Sequence, residues 1–223
     1  MSYTRFAIYF VPVEDPLARF GASWIGWDVN AGKDAVQFDV AGLGDATATP
    51  RKYGFHGTLK PPFRLTAGQT QEALCEAVAT MVSRTAPARC DGLELSSLGR
   101  FLALTPKGDA SDIARLAAAC VTEFDQFRAP ARDAELTRRR SVGLSERQER
   151  LLTRWGYPYV MEEFRFHVTL TGKLDAAELE RCYKLAEARL PELPEPFFLD
   201  RIALAGERSD GNFEIIQHYP LLG

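Results

Sequence analysis

The chain has 223 residues, of which 46% are hydrophobic and 26% charged, a composition that excludes a mainly disordered protein. Its 27 Lys and Arg residues against 30 Asp and Glu residues give a net charge of −3, so bulk charge does not favour capture of nucleic acid. No apolar run reaches the roughly 20 residues of a membrane span, and the N-terminus lacks the layout of a signal peptide. We therefore expect a cytoplasmic protein with no membrane partner.

The four cysteines are scattered and show no CxxC spacing. In a reducing compartment such cysteines are expected to be buried thiols rather than disulfides or zinc ligands. We therefore expect no metal and no cofactor. The cysteines are Cys75, Cys90, Cys120 and Cys182.

Hydrophobic periodicity predicts seven strands and a set of helices between them. The predicted strands are residues 5–13, 53–60, 93–98, 100–105, 164–171, 198–205 and 212–219. The predicted helices are residues 16–27, 70–84, 111–128, two segments within 129–154 that break near Gly143, and 175–190. Residues 28–50 carry several glycines and predict a loop or short irregular structure.

The element order repeats. A histidine-containing strand, a helix and a two-stranded hairpin occur in the first half of the chain and again in the second. This repeat predicts an α+β fold with two lobes related by a pseudo-twofold axis, each an antiparallel sheet covered by helices. We expect one bilobal domain over residues 1–223, with lobes at about 1–110 and 155–223 and a helical insert at about 111–154.

The sharpest signal is a tetrapeptide pattern, apolar-His-x-Thr-apolar, that occurs in both histidine strands. One copy contains His56 and Thr58, the other His167 and Thr169, and together they use two of the three histidines. Residues i and i+2 of a strand point to the same face, so each histidine shares a face with its threonine. If a pseudo-twofold axis relates the lobes, the two imidazoles converge in a central cleft.

Two facing imidazoles suit acid/base chemistry, because one can accept a proton from water while the other donates one to a departing oxygen. The hydroxyls of the two threonines could hold phosphate oxygens. The strand faces add Lys60 and Arg165 as candidate phosphate contacts. Tyr9, on the first strand, is a further candidate for the cleft.

At these residues the chain resembles the 2H (two-histidine) phosphoesterase superfamily, which includes LigT-like RNA 2′,3′-cyclic phosphodiesterases. The wider context, residues 51–63 and 154–167, is similar to a bacterial branch associated with phosphonate-metabolism operons. The resemblance implies metal-independent cleavage of a phosphodiester. Carried over by position, it makes His56 and His167 the catalytic pair and Thr58 and Thr169 the phosphate contacts.

The predicted function is a phosphodiesterase that opens a cyclic phosphate ester of a small sugar or nucleotide, with a ribosyl cyclic phosphate of phosphonate breakdown as the suggested substrate. Two alternatives stay open. One is RNA 2′,3′-cyclic phosphate end processing, which the acidic charge balance disfavours; the other is a non-catalytic module that binds a nucleotide or phosphorylated metabolite. No obligate protein partner is evident. The charged segment 129–154 is either a solvated helical face or a wall that brings an arginine to the substrate.

Overall fold

The structure is a computed structural model that describes residues 2–223. Its strands are β1 (Phe6–Phe10), β2 (Trp27–Asp28), β3 (Lys33–Asp34), β4 (Gly57–Phe63), β5 (Ala88–Cys90), β6 (Gly92–Leu98), β7 (Phe101–Lys107), β8 (Val168–Thr169), β9 (Phe197–Leu199), β10 (Arg201–Glu207) and β11 (Phe213–Pro220). Its α-helices are α1 (Pro16–Ile25), α2 (Leu43–Arg51), α3 (Gln71–Val82), α4 (Ser111–Glu123), α5 (Asp133–Arg140), α6 (Glu146–Trp155) and α7 (Ala176–Glu187).

Seven strands form one antiparallel sheet in the order β11-β10-β1-β4-β8-β7-β6. The β6–β7 hairpin, from the first half of the chain, lies beside β8. The β10–β11 hairpin, from the second half, lies beside β1 and β4. Each side of the sheet therefore takes strands from both halves of the sequence. The α+β class with antiparallel strands is confirmed, whereas the division into sequence lobes stays a prediction.

The two sides of the sheet meet where β4 pairs with β8, at Gly57 opposite Val168. The ring of Phe166 lies over Gly57 so closely that a Cβ there would come within 2.5 Å of it. Phe166 continues into an aromatic cluster with Phe10 and Phe197, whose rings lie 6.1 and 6.2 Å from it. A glycine at this position thus lets the residue before the second histidine pack against the first histidine strand.

Helix α1 fixes the entry to β4 in a similar way. The side chain of Asp15 accepts a hydrogen bond from the backbone of Ala18 and caps the helix, and Pro16 occupies the first turn, where it costs no hydrogen bond. Gly21 of this helix lies against Phe55, the residue before His56, and a Cβ there would come within 2.2 Å of that ring. The helix therefore positions the first histidine through its apolar neighbour.

The structure differs from the predicted elements at several places. The strand expected at residues 53–60 begins at Gly57 and continues to Phe63, so residues 53–56 lie before it. Residues 43–51, expected to be loop or short irregular structure, form α2, although Pro50 lies in its last turn. The strand expected at residues 164–171 shortens to β8, because Met161–Glu163 forms a 3-10 helix and the following residues are irregular. The small β5–β9 ladder was not predicted, since three-residue strands carry too little periodicity.

Among residues 2–223, no helix is long and apolar enough to cross a membrane. The four cysteines are free thiols, three of them buried and Cys75 half-buried.

Substituting alanine for Gly57 is expected to destabilise the protein by roughly 1–3 kcal/mol, because the added methyl group overpacks against Phe166. Urea unfolding monitored by circular dichroism measures this. Gly44→Ala is the matched control, since the nearest atom outside its helix lies 3.6 Å from the added Cβ. Phe166→Leu in the Gly57→Ala background should recover part of the loss. Equal stability of wild type and Gly57→Ala would contradict this packing.

Candidate active site

The two histidine–threonine pairs lie on one face of the sheet and are related by a local twofold axis. Because β4 and β8 run antiparallel with Gly57 opposite Val168, His56 and Thr58 flank one residue of the pair and His167 and Thr169 flank the other. Each histidine thus lies across from the other's threonine, at about 5 Å, and diagonally from the other histidine, at about 7–8 Å. The structure brings these four predicted residues together.

Both imidazole rings are oriented by the same backbone contact. Nδ1 of His56 donates to the carbonyl of Gly54 at 2.9 Å, and Nδ1 of His167 donates to the carbonyl of Arg165 at 2.8 Å. A carbonyl only accepts hydrogen bonds, so Nδ1 of each ring carries a proton. The Nε2 atoms are left for chemistry, and that of His56 accepts a hydrogen bond from the Thr58 hydroxyl at 3.0 Å.

The carbonyl that holds His56 depends on a glycine. Gly54 has a φ of 72°, in the left-handed region, and a Cβ there would come within 2.5 Å of Val29. Glycine adopts this conformation without steric cost. The turn before β4 therefore aims its carbonyl back at the histidine two residues later.

His56 is held in its neutral form. Burial lowers its pKa to about 4, and the charge of His167 acts in the same direction, while the hydrogen bond to Gly54 opposes both. The ring of Tyr9 packs against the His56 ring, with centroids 3.9 Å apart. An aromatic ring at this distance removes water from one side of the imidazole.

Tyr9 lies in the site, next to Thr58 in the β1–β4 register. Its side chain is fully buried, and its hydroxyl has no hydrogen-bond partner among residues 2–223. Burial raises its pKa well above the ordinary value. An unpartnered hydroxyl beside the candidate catalytic ring offers a donor that nothing in the fold uses.

Lys60 does not join the site, contrary to the expectation from strand alternation. The register of β1 and β4 shifts after Thr58, so that Tyr9 pairs with Thr58 but Ile8 pairs with Lys60. This bulge places Lys60 on the opposite face from Thr58. Its side chain is 2% exposed, and Nζ donates to the carbonyl of Val121 in α4 at 3.0 Å.

Arg165 stays exposed beside the second histidine, and its guanidinium donates to the carbonyls of Glu162 and Phe164. Its own carbonyl is the group that orients His167. A contact between the Arg165 side chain and a substrate stays a prediction. The contact between the Arg165 carbonyl and His167 does not follow from strand alternation, which concerns side chains only.

Sequence reasoning named Tyr9 as a candidate for the cleft but did not identify two further tyrosines, Tyr53 and Tyr157, as site residues. The ring of Tyr53 lies 6.0 Å from that of His56, and both Tyr53 and Tyr157 add to the rise in the pKa of Tyr9. The position of Tyr157 cannot be derived from strand or helix periodicity, because an aromatic residue in a single sequence carries no signal of what it will face. We call Tyr9, Tyr53 and Tyr157 the tyrosine wall.

The sequence model of a family described as "Protein of unknown function (DUF1045)" matches residues 58–214, well over half of the chain. The chain belongs to this family. The match includes the second histidine–threonine pair and begins at Thr58.

Two curated relatives carry the name ribose 1,5-bisphosphate phosphokinase PhnN. The protein from Janthinobacterium sp. (strain Marseille) is 38% identical over 221 residues, covering 94% of this chain and 49% of the relative. The protein from Laribacter hongkongensis (strain HLHK9) is 35% identical over 182 residues, covering 78% and 42%. The chain thus spans about half the length of these relatives.

Solved structures similar to the chain include E. coli LigT in complex with NADP+, at 12% identity, full coverage of both chains and a TM-score of 0.48. A second is described as the crystal structure of phosphoesterase, at 14% identity, 99% coverage of both chains and a TM-score of 0.45.

The buried position of Lys60 predicts a pH-dependent stability. Burial lowers its pKa from 10.5 to about 8, so between these values the unfolded chain holds the proton that the folded chain has released. The free energy of unfolding should rise relative to Lys60→Met by up to roughly 1.4 kcal/mol per pH unit as the pH increases from 8 towards 10.5. Urea titrations across this range measure the difference. Lys173→Met, an exposed lysine, is the control, and parallel pH curves for wild type and Lys60→Met would refute the prediction.

The environment of His56 predicts a specific tautomer. At about pH 5.5, between the ordinary value and its lowered pKa, the ring should be neutral with its proton on Nδ1. Nitrogen-15 NMR of the imidazoles measures this, with His56→Gln assigning the signal. A doubly protonated His56 ring at that pH would contradict the desolvated site.

Proposed function

We propose that this protein is a two-histidine phosphodiesterase that opens a cyclic phosphate ester of a small phosphorylated sugar. The observation that carries the proposal is the pairing of β4 with β8, which sets His56, Thr58, His167 and Thr169 on one face with both Nδ1 atoms bound to carbonyls. The two Nε2 atoms are then the groups able to move protons at a phosphate between them.

In the proposed reaction, His56 is the general base. Its neutral ring offers a lone pair at Nε2, so it accepts a proton from water as the water oxygen attacks phosphorus. One ester bond from phosphorus to a sugar oxygen breaks, and His167 donates its Nε2 proton to the departing alkoxide. The product is a phosphate monoester and a free hydroxyl on the same sugar, and proton exchange with water resets both rings.

The threonines bind the non-bridging phosphate oxygens. The Thr58 hydroxyl, which donates to His56 Nε2 in the structure, turns to a phosphate oxygen when substrate is present. Thr169 occupies the equivalent position beside His167. Hydrogen bonds from fixed donors stabilise the charge that grows on these oxygens as water attacks.

A phosphorylated ribose is the substrate class that the relatives favour. Their names give ribose 1,5-bisphosphate as the substrate of a phosphokinase, and this chain corresponds to about half of each of them. The chain has no glycine-rich phosphate loop of the P-loop type, so we attribute the kinase activity to the remaining part of those proteins. Opening the 1,2-cyclic phosphate of ribose 5-phosphate at O2 yields ribose 1,5-bisphosphate. The two halves would then catalyse consecutive steps, as expected for the branch associated with phosphonate metabolism that the motifs resemble.

The test is a panel of cyclic phosphates with products identified by phosphorus-31 NMR. It contains the 1,2-cyclic phosphate of ribose 5-phosphate, a nucleoside 2′,3′-cyclic phosphate and an RNA ending in a 2′,3′-cyclic phosphate. Preference for the RNA would favour end processing instead. Binding without any product would favour the non-catalytic module.

His56→Gln and His167→Gln are each expected to lower kcat by roughly 10²–10⁴-fold, the usual contribution of a positioned proton-transfer group. The double variant should be little worse than the poorer single variant, because the two groups act in one step. Steady-state kinetics on the best substrate of the panel measures this.

His218→Gln is the matched control, since His218 lies on the same face of the sheet but across Ala203 from Tyr9, with Nε2 bonded to Asn30. It should retain wild-type kcat. Activity should also survive EDTA. Full activity of either catalytic-histidine variant, or loss with EDTA and recovery with a divalent cation, would refute the two-histidine mechanism.

A further inference from the structure

The side of the site next to His56 carries positive charge that the proposed proton transfers do not use. This charge lies along the tyrosine wall, on residues that are distant in sequence. Nζ of Lys52 lies 4.6 Å from the ring centre of Tyr53, and the guanidinium of Arg139 lies 5.1 Å from that of Tyr157. Both cations thus sit on ring faces of the wall.

Arg139 is a half-buried cation held only by neutral groups. It donates to the carbonyl of Gly156 and stacks on Tyr157, and among residues 2–223 it has no carboxylate within ion-pair distance. Burial lowers its pKa, and the charges of Arg138 and Arg5 act in the same direction, while Tyr157 and Glu135 oppose them. An anion bound beside the Arg139 guanidinium would stabilise its charge, which burial disfavours.

Arg139 also lies within electrostatic range of Arg5, whose charge lowers the pKa of Arg139. Arg5 immediately precedes β1, its guanidinium lies 5.7 Å from the ring centre of Phe213, and it forms an ion pair with Glu207. Its charge is therefore compensated, and the charges of Arg139 and Lys52 are not. The Phe213 ring in turn lies 5.2 Å from Tyr53 and 6.0 Å from Tyr9. Lys52 thus lies next to the surroundings of His56 through Tyr53, and Arg139 stacks on Tyr157, the third residue of the wall.

A second, independent observation points to a ligand at the same place. The Tyr9 side chain is fully buried against the His56 ring, and its hydroxyl has no hydrogen-bond partner among residues 2–223. Buried hydroxyls without a partner cost free energy and are rare in folded proteins. A ligand oxygen bound at the wall would provide the missing acceptor.

We propose that the tyrosine wall, with Arg139 and Lys52, is a second anion site that binds a phosphate monoester on the same molecule whose cyclic ester lies between the histidines. The site is separate from the histidine–threonine pairs and makes the enzyme selective for doubly phosphorylated sugars. This inference rests on the proposed function for its catalytic test, and its binding test is independent of it. The arginine comes from α5, within the charged segment 129–154.

The catalytic test compares two substrates, the 1,2-cyclic phosphate of ribose 5-phosphate and the same cyclic ester without the 5-phosphate. Arg139→Gln should lower kcat/KM for the first by about 10- to 100-fold, the range for a hydrogen bond to a charged group, and leave the second unchanged. Arg138→Gln, an exposed neighbour on the same helix, is the matched control and should leave both unchanged. An equal loss on both substrates would overturn the proposal and assign Arg139 a role in folding α5.

The binding test uses ribose 5-phosphate as the probe, titrated by calorimetry into wild type, Arg139→Gln, Arg138→Gln and Thr169→Val. The expected result is a loss of affinity of about 10-fold or more in Arg139→Gln only. Loss in Thr169→Val with wild-type affinity in Arg139→Gln would place the phosphate between the histidines and overturn the proposal, as would no binding to wild type. If wild type turns over neither cyclic ester but this pattern holds, the proposed function fails and the anion site stands.

Discussion

The site depends on the pairing of Gly57 with Val168, the point at which two sides of the sheet become one. An antiparallel pair has a local twofold axis, so a motif repeated on both strands is brought into a symmetric arrangement by the hydrogen bonding alone. The close approach of Phe166 to Gly57 then fixes the second motif against the first. This explains why the residue between His and Thr is glycine in one copy and valine in the other. The ring of Phe166 occupies the volume that a side chain at position 57 would need.

The symmetry of the backbone does not extend to the surroundings of the two rings. Both histidines donate Nδ1–H to the carbonyl two residues before them, but only His56 is packed against Tyr9 and approached by Tyr53. Removing water from one imidazole favours its neutral form, because the charged form loses solvation. One duplicated motif can in this way supply both a base and an acid, with the difference in role set by neighbours rather than by the motif.

The sequence was sufficient for the features that follow from strand alternation and repetition. It predicted that His56 and Thr58 share a face, that His167 and Thr169 do the same, and that the strands are antiparallel. The prediction from alternation was wrong for Lys60, because a bulge between Thr58 and Lys60 moves the Lys60 side chain to the other face of the sheet. No residue type in that segment indicates the bulge. Alternation could not reveal the tyrosine wall either, since Arg139 lies on α5 and Tyr157 on the loop after α6, far in sequence from β1 and β4. Contacts between distant segments leave no periodic signal in a single chain.

The displacement of Lys60 has a consequence for the distribution of charge. Had alternation continued, an ammonium group would lie beside Thr58 and next to the His56 ring, where it would further disfavour protonation of His56 and compete for the same phosphate oxygens. The bulge instead directs Lys60 to the carbonyl of Val121. In the proposed anion site, positive charge comes instead from Arg139 and Lys52, which stack on the tyrosine wall. This arrangement lets the charge act on a substrate's second anionic group while the proton transfers are left to the two imidazoles.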